Sequence, residues 1–242
     1  MTRSQKKEGW VVGKQERTPK YHGFILFTRD EGLCSVKVRS PKKLSSAPVP
    51  SLLQRVIMDV YLAGGVQPIL SSYHAHGGVD WNTLTGEQLS LAYIFLESIT
   101  ALLPKELPQE VLYDAFEEVM SLLRTTQDVL KLKVVGLYHF LVLLGLFSCG
   151  DTCGVCHKPF PMEGRYGFSE ESLEICCPMC ATPQMRALDP MSVKWMRLIE
   201  KRDLSFVMNI HGEEKILKEI DGVVTTIIVY TLGRPLHSMA YL

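Results

Sequence analysis

Net charge is missing from this chain: 26 Lys and Arg meet 26 Asp and Glu over 242 residues. That balance rules out a uniformly basic or acidic character as the basis of function, though not a local patch. Long apolar runs are missing as well. The longest uncharged one, Val134 to Phe147, is fourteen residues and contains His139; it is too short to cross a bilayer and reads as a buried core helix. No membrane association is therefore expected. The sequence has no G-x4-G-K-[ST] phosphate loop, no G-x-S-x-G nucleophile elbow and no prominent carboxylate pair. Its seven histidines are scattered and read as surface or satisfied core residues rather than general bases. These absences favour a binding protein over an enzyme. Internal repeats, low-complexity tracts and an N-terminal secretory signal are also absent, and a reducing compartment is the expectation. Composition is otherwise ordinary, at 46% hydrophobic and 21% charged, with room for one large or two modest domains.

The most specific chemistry lies between Cys153 and Cys180. Cys153-Gly154-Val155-Cys156 is followed, after twenty residues, by Cys177-Pro178-Met179-Cys180. Two C-x2-C pairs at this separation have the spacing of a structural zinc site, each pair closing one tight knuckle and the two together supplying four thiolates. One structural zinc on Cys153, Cys156, Cys177 and Cys180 is expected. Pro178 fits a knuckle position that can spare its N–H. Gly150, Gly154, Gly164 and Gly167 with few apolar residues imply a segment that cannot bury a core and needs the metal as a staple. Disulfides are disfavoured by a reducing compartment. Four cysteines also leave no open position for catalysis, and a deaminase order is excluded because His211-Gly212-Glu213 follows the cysteines. Cys149 and Cys176 adjoin the ligands but break the spacing, His157 lies too close to Cys156, and Cys34 reads as a small buried hydrophobe.

Along the chain, a polar tail from Met1 to Lys7 precedes short β-rich runs at Gly9 to Arg17, Tyr21 to Thr28 and Leu33 to Arg39. Two more follow, Leu53 to Ala63 and Val66 to Ala75, joined through a Gly64-Gly65 hairpin signal. Five strands and no long helix describe a small barrel, with Ser40 to Pro50 as a basic loop. Near residue 80 the period changes. Thr85-Gly86-Glu87-Gln88 is a capping box leading a helix that Pro104 stops. A second helix begins near Pro108, with Glu117 and Glu118 on a solvated face, and a third runs from about Gln127 to Phe147. Asp189-Pro190 starts another, and Ile216, Ile220, Val223 and Ile227 mark a last helix closed by Gly233 and Pro235. The expected fold class is α+β: an OB-fold-like five-stranded barrel over 1–80, then an all-helical domain over 81–242 with a zinc-binding insertion at 150–182. Charge is unevenly divided. Residues 1–46 carry eleven Lys and Arg against four Asp and Glu, a balance of +7, and the remainder fifteen against twenty-two, a balance of −7. A basic binding face, where there is one, belongs to the N-terminal part.

Several of these stretches in sequence order resemble the RecO family of bacterial recombination mediators. They are the Val11-Val12-Gly13-Lys14 strand, Phe27-Thr28 with Gly32 just after, Leu143-Leu144-Gly145 running into the first C-x2-C, the second C-x2-C, and Leu232-Gly233-Arg234-Pro235-Leu236-His237-Ser238. The likeness spans nearly the whole chain, its specificity lying in order and spacing. Two places depart from the family pattern: Lys20-Tyr21 stands where Gly-Glu is usual, and Arg39-Ser40-Pro41-Lys42 replaces a Gly-Ala-Arg-like turn. The resemblance implies an OB-fold domain binding single- and double-stranded DNA and a helical domain bearing a zinc finger. It further implies strand annealing and help in loading RecA, with RecR and the single-stranded-DNA-binding protein as partners, in the bacterial cytoplasm at the nucleoid. An OB barrel holds single strands by a basic groove and stacking aromatics. Lys14, Arg17, Lys20, Arg29, Lys37, Arg39, Lys42 and Lys43 would supply the charge. Trp10, Tyr21 and Phe24 or Phe27 are either base platforms or barrel core, since alternation points half of every strand inward. A zinc-stapled scaffold that binds only protein, its basic segment serving an acidic tail, is the alternative.

Overall fold

Strand β1 runs Arg3–Gln15, long enough to pair along both its edges: residues 3–10 with β4 (Gln54–Leu62) and residues 9–15 with β2 (Tyr21–Thr28). A register shift between Val11 and Gly13 bends it from one partner to the other. With β3 (Gly32–Arg39) and β5 (Ile69–Gly78) the order is β1-β2-β3-β5-β4, a closed barrel joined at a parallel Lys37–Ile69 pairing. The computed structural model describes residues 3–15, 21–39, 50–62, 68–161 and 163–241. The expected Gly64-Gly65 hairpin and nearly all of the Ser40 to Pro50 loop lie outside them.

The expected polar tail is part of the sheet. Ser4 to Lys7 pair with Tyr61 to Met58, which a hydrophobic pattern could not reveal because the inward Lys7 is a cation, buried and ion-paired to Glu31. Inside the barrel Val11, Phe24, Leu26, Val36, Val56, Met58 and Val60 form one cluster. The unbroken apolar run of β2 has a second cause: Phe27 points out of the barrel and is still fully buried, its ring 5.3 Å from Tyr113 and 5.7 Å from Phe116 of helix α2 (Glu110–Leu123). Trp10 packs edge-on to Phe116 at 5.7 Å. Helix α1 (Gly86–Leu102) opens on the expected capping box, Thr85 with Gln88.

By contact density the chain divides into two compact units, Met1–Met120 with Ala240–Leu242, and Ser121–Met239. The strands thus share a unit with α1 and most of α2, although the sequence period changes at residue 80. The second unit contains α3 (Val129–Leu143), α4 (Pro190–Lys201), the short α5 (Leu204–Met208) and α6 (Glu214–Leu232). Helix α3 stops before the expected Phe147, because Gly145 turns into the left-handed region at φ 67° and ends it. Buried Lys131 of α3 donates to the carbonyls of Met208 and Ile210. It thereby satisfies C-terminal groups of α5, a helix too short to show a period. Between α3 and α4 lies a three-stranded sheet in the order β7-β6-β8: β6 Tyr166–Ser169, β7 Glu174–Cys176, β8 Arg186–Leu188.

Candidate metal centre and basic end of the barrel

The two C-x2-C pairs face each other across a short hairpin. Each of Cys153, Cys156, Cys177 and Cys180 offers an Sγ within 4.8 Å of the other three, and the set could hold a metal ion. Cys153 is fully buried and Cys177 nearly so, while the other two are half-buried. The knuckles are built by local backbone bonds. His157 N–H donates to Cys153 O (2.9 Å), and the Cys180 and Ala181 N–H groups both donate to Cys177 O (2.9 Å each). His157 adopts φ 57° where the first knuckle reverses. Sulfur receives donors as well: Val155 N–H at 3.4 Å and Cys177 N–H at 3.3 Å both reach Cys153 Sγ. Burial pushes the Cys153 thiol up, but the N–H groups of Cys156, Cys177 and Val155 outweigh it and bring the group down to about 6. Backbone donors thus favour thiolate, the form a metal requires. Within the set, hydrogen bonds to the Cys156 and Cys177 sulfurs lift Cys180 to about 12. Outside it, burial lifts Cys176 to about 11 and Cys149 to about 12. Cys34 in the barrel is lifted to about 11, also by burial, as suits a small core hydrophobe.

The hairpin is better supported than its glycine content suggests. Phe168 and Ile175 pair across β6 and β7 and are both buried, and Phe168 lies 6.1 Å from Phe147. The expectation that this segment could bury no core is corrected accordingly. Gly164, at φ 101°, passes so close to the second knuckle that a Cβ there would sit 2.6 Å from Pro178 Cγ. Helix α4 holds the approach to the first knuckle. Glu200 accepts from Tyr138 Oη (2.6 Å), Cys149 N–H (2.6 Å) and Ser148 Oγ (3.2 Å). Arg197 donates to Gly150 O (2.9 Å), pairs with Asp151 and lies 5.0 Å from the Phe160 ring centroid. These roles are invisible in sequence, where Arg197 and Glu200 are only neighbours on a polar helix face.

Among the described residues, the expected phosphate-binding side chains do not form one patch. Gln15 pairs with Gly23, Gly23 with Lys37 and Tyr21 with Arg39, so the register brings the exposed Lys14, the half-buried Lys37 and the backbone of Arg39 to one end of β1-β2-β3. Arg17, Lys20, Lys42 and Lys43 lie outside the described residues. Arg29 sits at the opposite end, in the β2–β3 turn, and is already taken: Asp114 receives its Nε and Nη2 at 3.0 and 2.9 Å, and Glu110 its Nη1 at 3.2 Å. Asp114 is correspondingly held below the usual carboxylate range. Glu117 is no solvated bystander. It pairs with Arg55 at 3.1 Å and accepts from Trp10 Nε1 at 3.2 Å. Of the proposed stacking aromatics, Trp10, Phe24 and Phe27 are 6%, 2% and 0% exposed and serve as core; nothing is described of the Tyr21 side chain.

Among the described residues, no helix is long and apolar enough to cross a membrane. No curated protein matches the chain. The family model described as "Recombination protein O C terminal" matches residues 84–240, a span that includes the four-cysteine centre. On that match over more than half its length, the chain belongs to the RecO family.

Proposed function

We infer from membership of this family a role in recombination and repair. We propose that the chain fills it as a non-enzymatic mediator that binds single- and double-stranded DNA, anneals strands and assists RecA loading with RecR and the single-stranded-DNA-binding protein. The family match carries this reading. The closed order of five strands is compatible with an OB fold, which holds single strands through a basic groove. The DNA site is placed at the end of β1-β2-β3 that carries Lys14, Lys37 and Arg39, with Arg17, Lys20, Lys42 and Lys43 in the adjoining stretches of chain. Arg29 is left out because its guanidinium is occupied.

The metal is proposed to be one zinc ion held by Cys153, Cys156, Cys177 and Cys180. Four thiolates suit zinc and fill its tetrahedron, so the ion would staple the two knuckles rather than activate water. A protein-only scaffold is the second reading, favoured by the carboxylate pairing of Lys7, Arg29 and Arg55. A salt titration of single-stranded DNA binding by the full chain separates the two. The mediator gives a log-log slope that grows with the number of phosphates neutralised; no binding at low salt leaves the scaffold.

A further inference from the structure

A second group of cations lies where β1 passes between the end of β2 and the start of β4, Thr28 pairing with Gly9 and Arg55 with Trp10. Lys6, Lys7, Arg29 and Arg55 line a cavity of about 460 Å³ together with Glu8 and Asp30. Lys7 is buried and ion-paired to Glu31; the other three cations line an open groove where a phosphate backbone would be expected to settle. Yet its arginines are engaged from the helix beside it. Glu110, Asp114 and Glu117 recur at helical spacing along one edge of α2. Arg29 gives Asp114 the two-pronged fork that arginine gives a phosphate and adds a third contact to Glu110. Arg55 is divided between Glu117 and Glu8, both at 3.1 Å.

We propose that the carboxylate edge of α2 occupies Arg29 and Arg55 in place of nucleic-acid phosphate, and so confines DNA to the end of the barrel that carries Lys14, Lys37 and Arg39. This rests on the DNA-binding reading above. The edge acts as an internal competitor and not as a lock. Arg29, Asp114 and Glu110 are each more than half exposed in their side chains, and exposed pairs are weak and screened by salt. Removing the carboxylates should open Arg29 and Arg55 to DNA.

The test uses the full chain with Asp114→Asn and Glu117→Gln and a fluorescent oligothymidylate, read by anisotropy across a salt series. Each arginine that gains a phosphate adds roughly 0.7 to the log-log salt slope on single strands; Arg29 keeps its contact to Glu110 and Arg55 its contact to Glu8, so the slope should steepen by roughly 0.7 to 1.4 and low-salt affinity rise several-fold. Two controls separate release of arginine from a change of net charge. Arg29→Gln should move wild-type affinity less than twofold but cancel much of the gain in the carboxamide background, a non-additive cycle. Glu171→Gln, exposed in the cysteine hairpin, removes one negative charge, as Asp114→Asn alone does, and should not reproduce the gain of that single variant. A gain that survives Arg29→Gln, or that Glu171→Gln reproduces, overturns the proposal. So does unchanged binding in the double variant where Lys42→Glu with Lys43→Glu weakens it, an outcome that leaves the DNA-binding reading intact. Failure of every variant to bind DNA overturns both. Thermal unfolding checks that the double variant is folded, and Asp114→Asn alone carries the same test through Arg29.

Discussion

The cysteine hairpin and the barrel solve the same problem with opposite materials. Seven buried side chains, most of them aliphatic, fill the barrel, and Trp10, Phe27, Tyr113 and Phe116 add an aromatic layer between its outer face and α2. The hairpin has little more than Phe168, Ile175 and Tyr166 in its small sheet, and at its tip four sulfurs take the place of a core. Apolar burial is spread over many residues and tolerates the absence of any ligand. A four-thiolate centre concentrates its stabilisation in one ion, so the two regions should respond independently to metal removal and to core truncation.

The largest effect that would test this contrast is loss of the metal. One zinc per chain is expected, and Cys153→Ser should lower zinc content well below one while chelation abolishes protection in the hairpin. Hydrogen exchange should show that loss from Cys153 to about Met185. Ser148 to Asp151, held by Glu200 and Arg197, should stay protected, as should the barrel strands. Protection lost equally in both units would break the comparison. Phe27→Ala is the converse change. Truncating a fully buried ring costs about 3–5 kcal/mol, seen as a lower denaturant midpoint, with zinc content unmoved.

A smaller effect concerns the barrel's charge. Lys42→Glu with Lys43→Glu should flatten the salt slope of single-stranded DNA binding by on the order of one to two units, again without touching zinc. An unaltered slope would move the site away from this stretch.

These two regions were also unequally legible. The metal centre is written in local spacing, which no tertiary contact can rearrange, and the four named cysteines are the four that converge. The strands were legible wherever inward positions are apolar, as in β2 and β3, and hidden where the inward residue is Lys7. The sheet of the hairpin was hidden because its strands are three or four residues long, too short to carry a period. Charge was the least legible property. A balance of +7 in the first 46 residues is a sum over sequence, whereas a cation's availability depends on which carboxylates the fold brings to it. Arg29 and Asp114 are 85 positions apart, and no local pattern joins them. Aromatic rings failed for a related reason: Phe27 lies on the outer face of its strand, as a stacking residue must, but α2 covers that face.

The smallest effect probes how local the metal centre is. Pro178 follows the first cysteine of the second knuckle, and the N–H groups that build this turn belong to Cys177, Cys180 and Ala181. None comes from position 178, so proline costs the knuckle no bond and restricts the metal-free chain. Replacing a compatible proline restores about 0.4–1 kcal/mol of chain entropy to the unfolded segment. Pro178→Ala should therefore weaken zinc binding by roughly two- to fivefold, measured by competition with a chelating indicator. The same variant should leave the barrel's denaturant midpoint where it was. A loss of a hundredfold or more would mean that Pro178 works through its packing on Gly164, and that the knuckle depends on its surroundings as much as the barrel depends on α2.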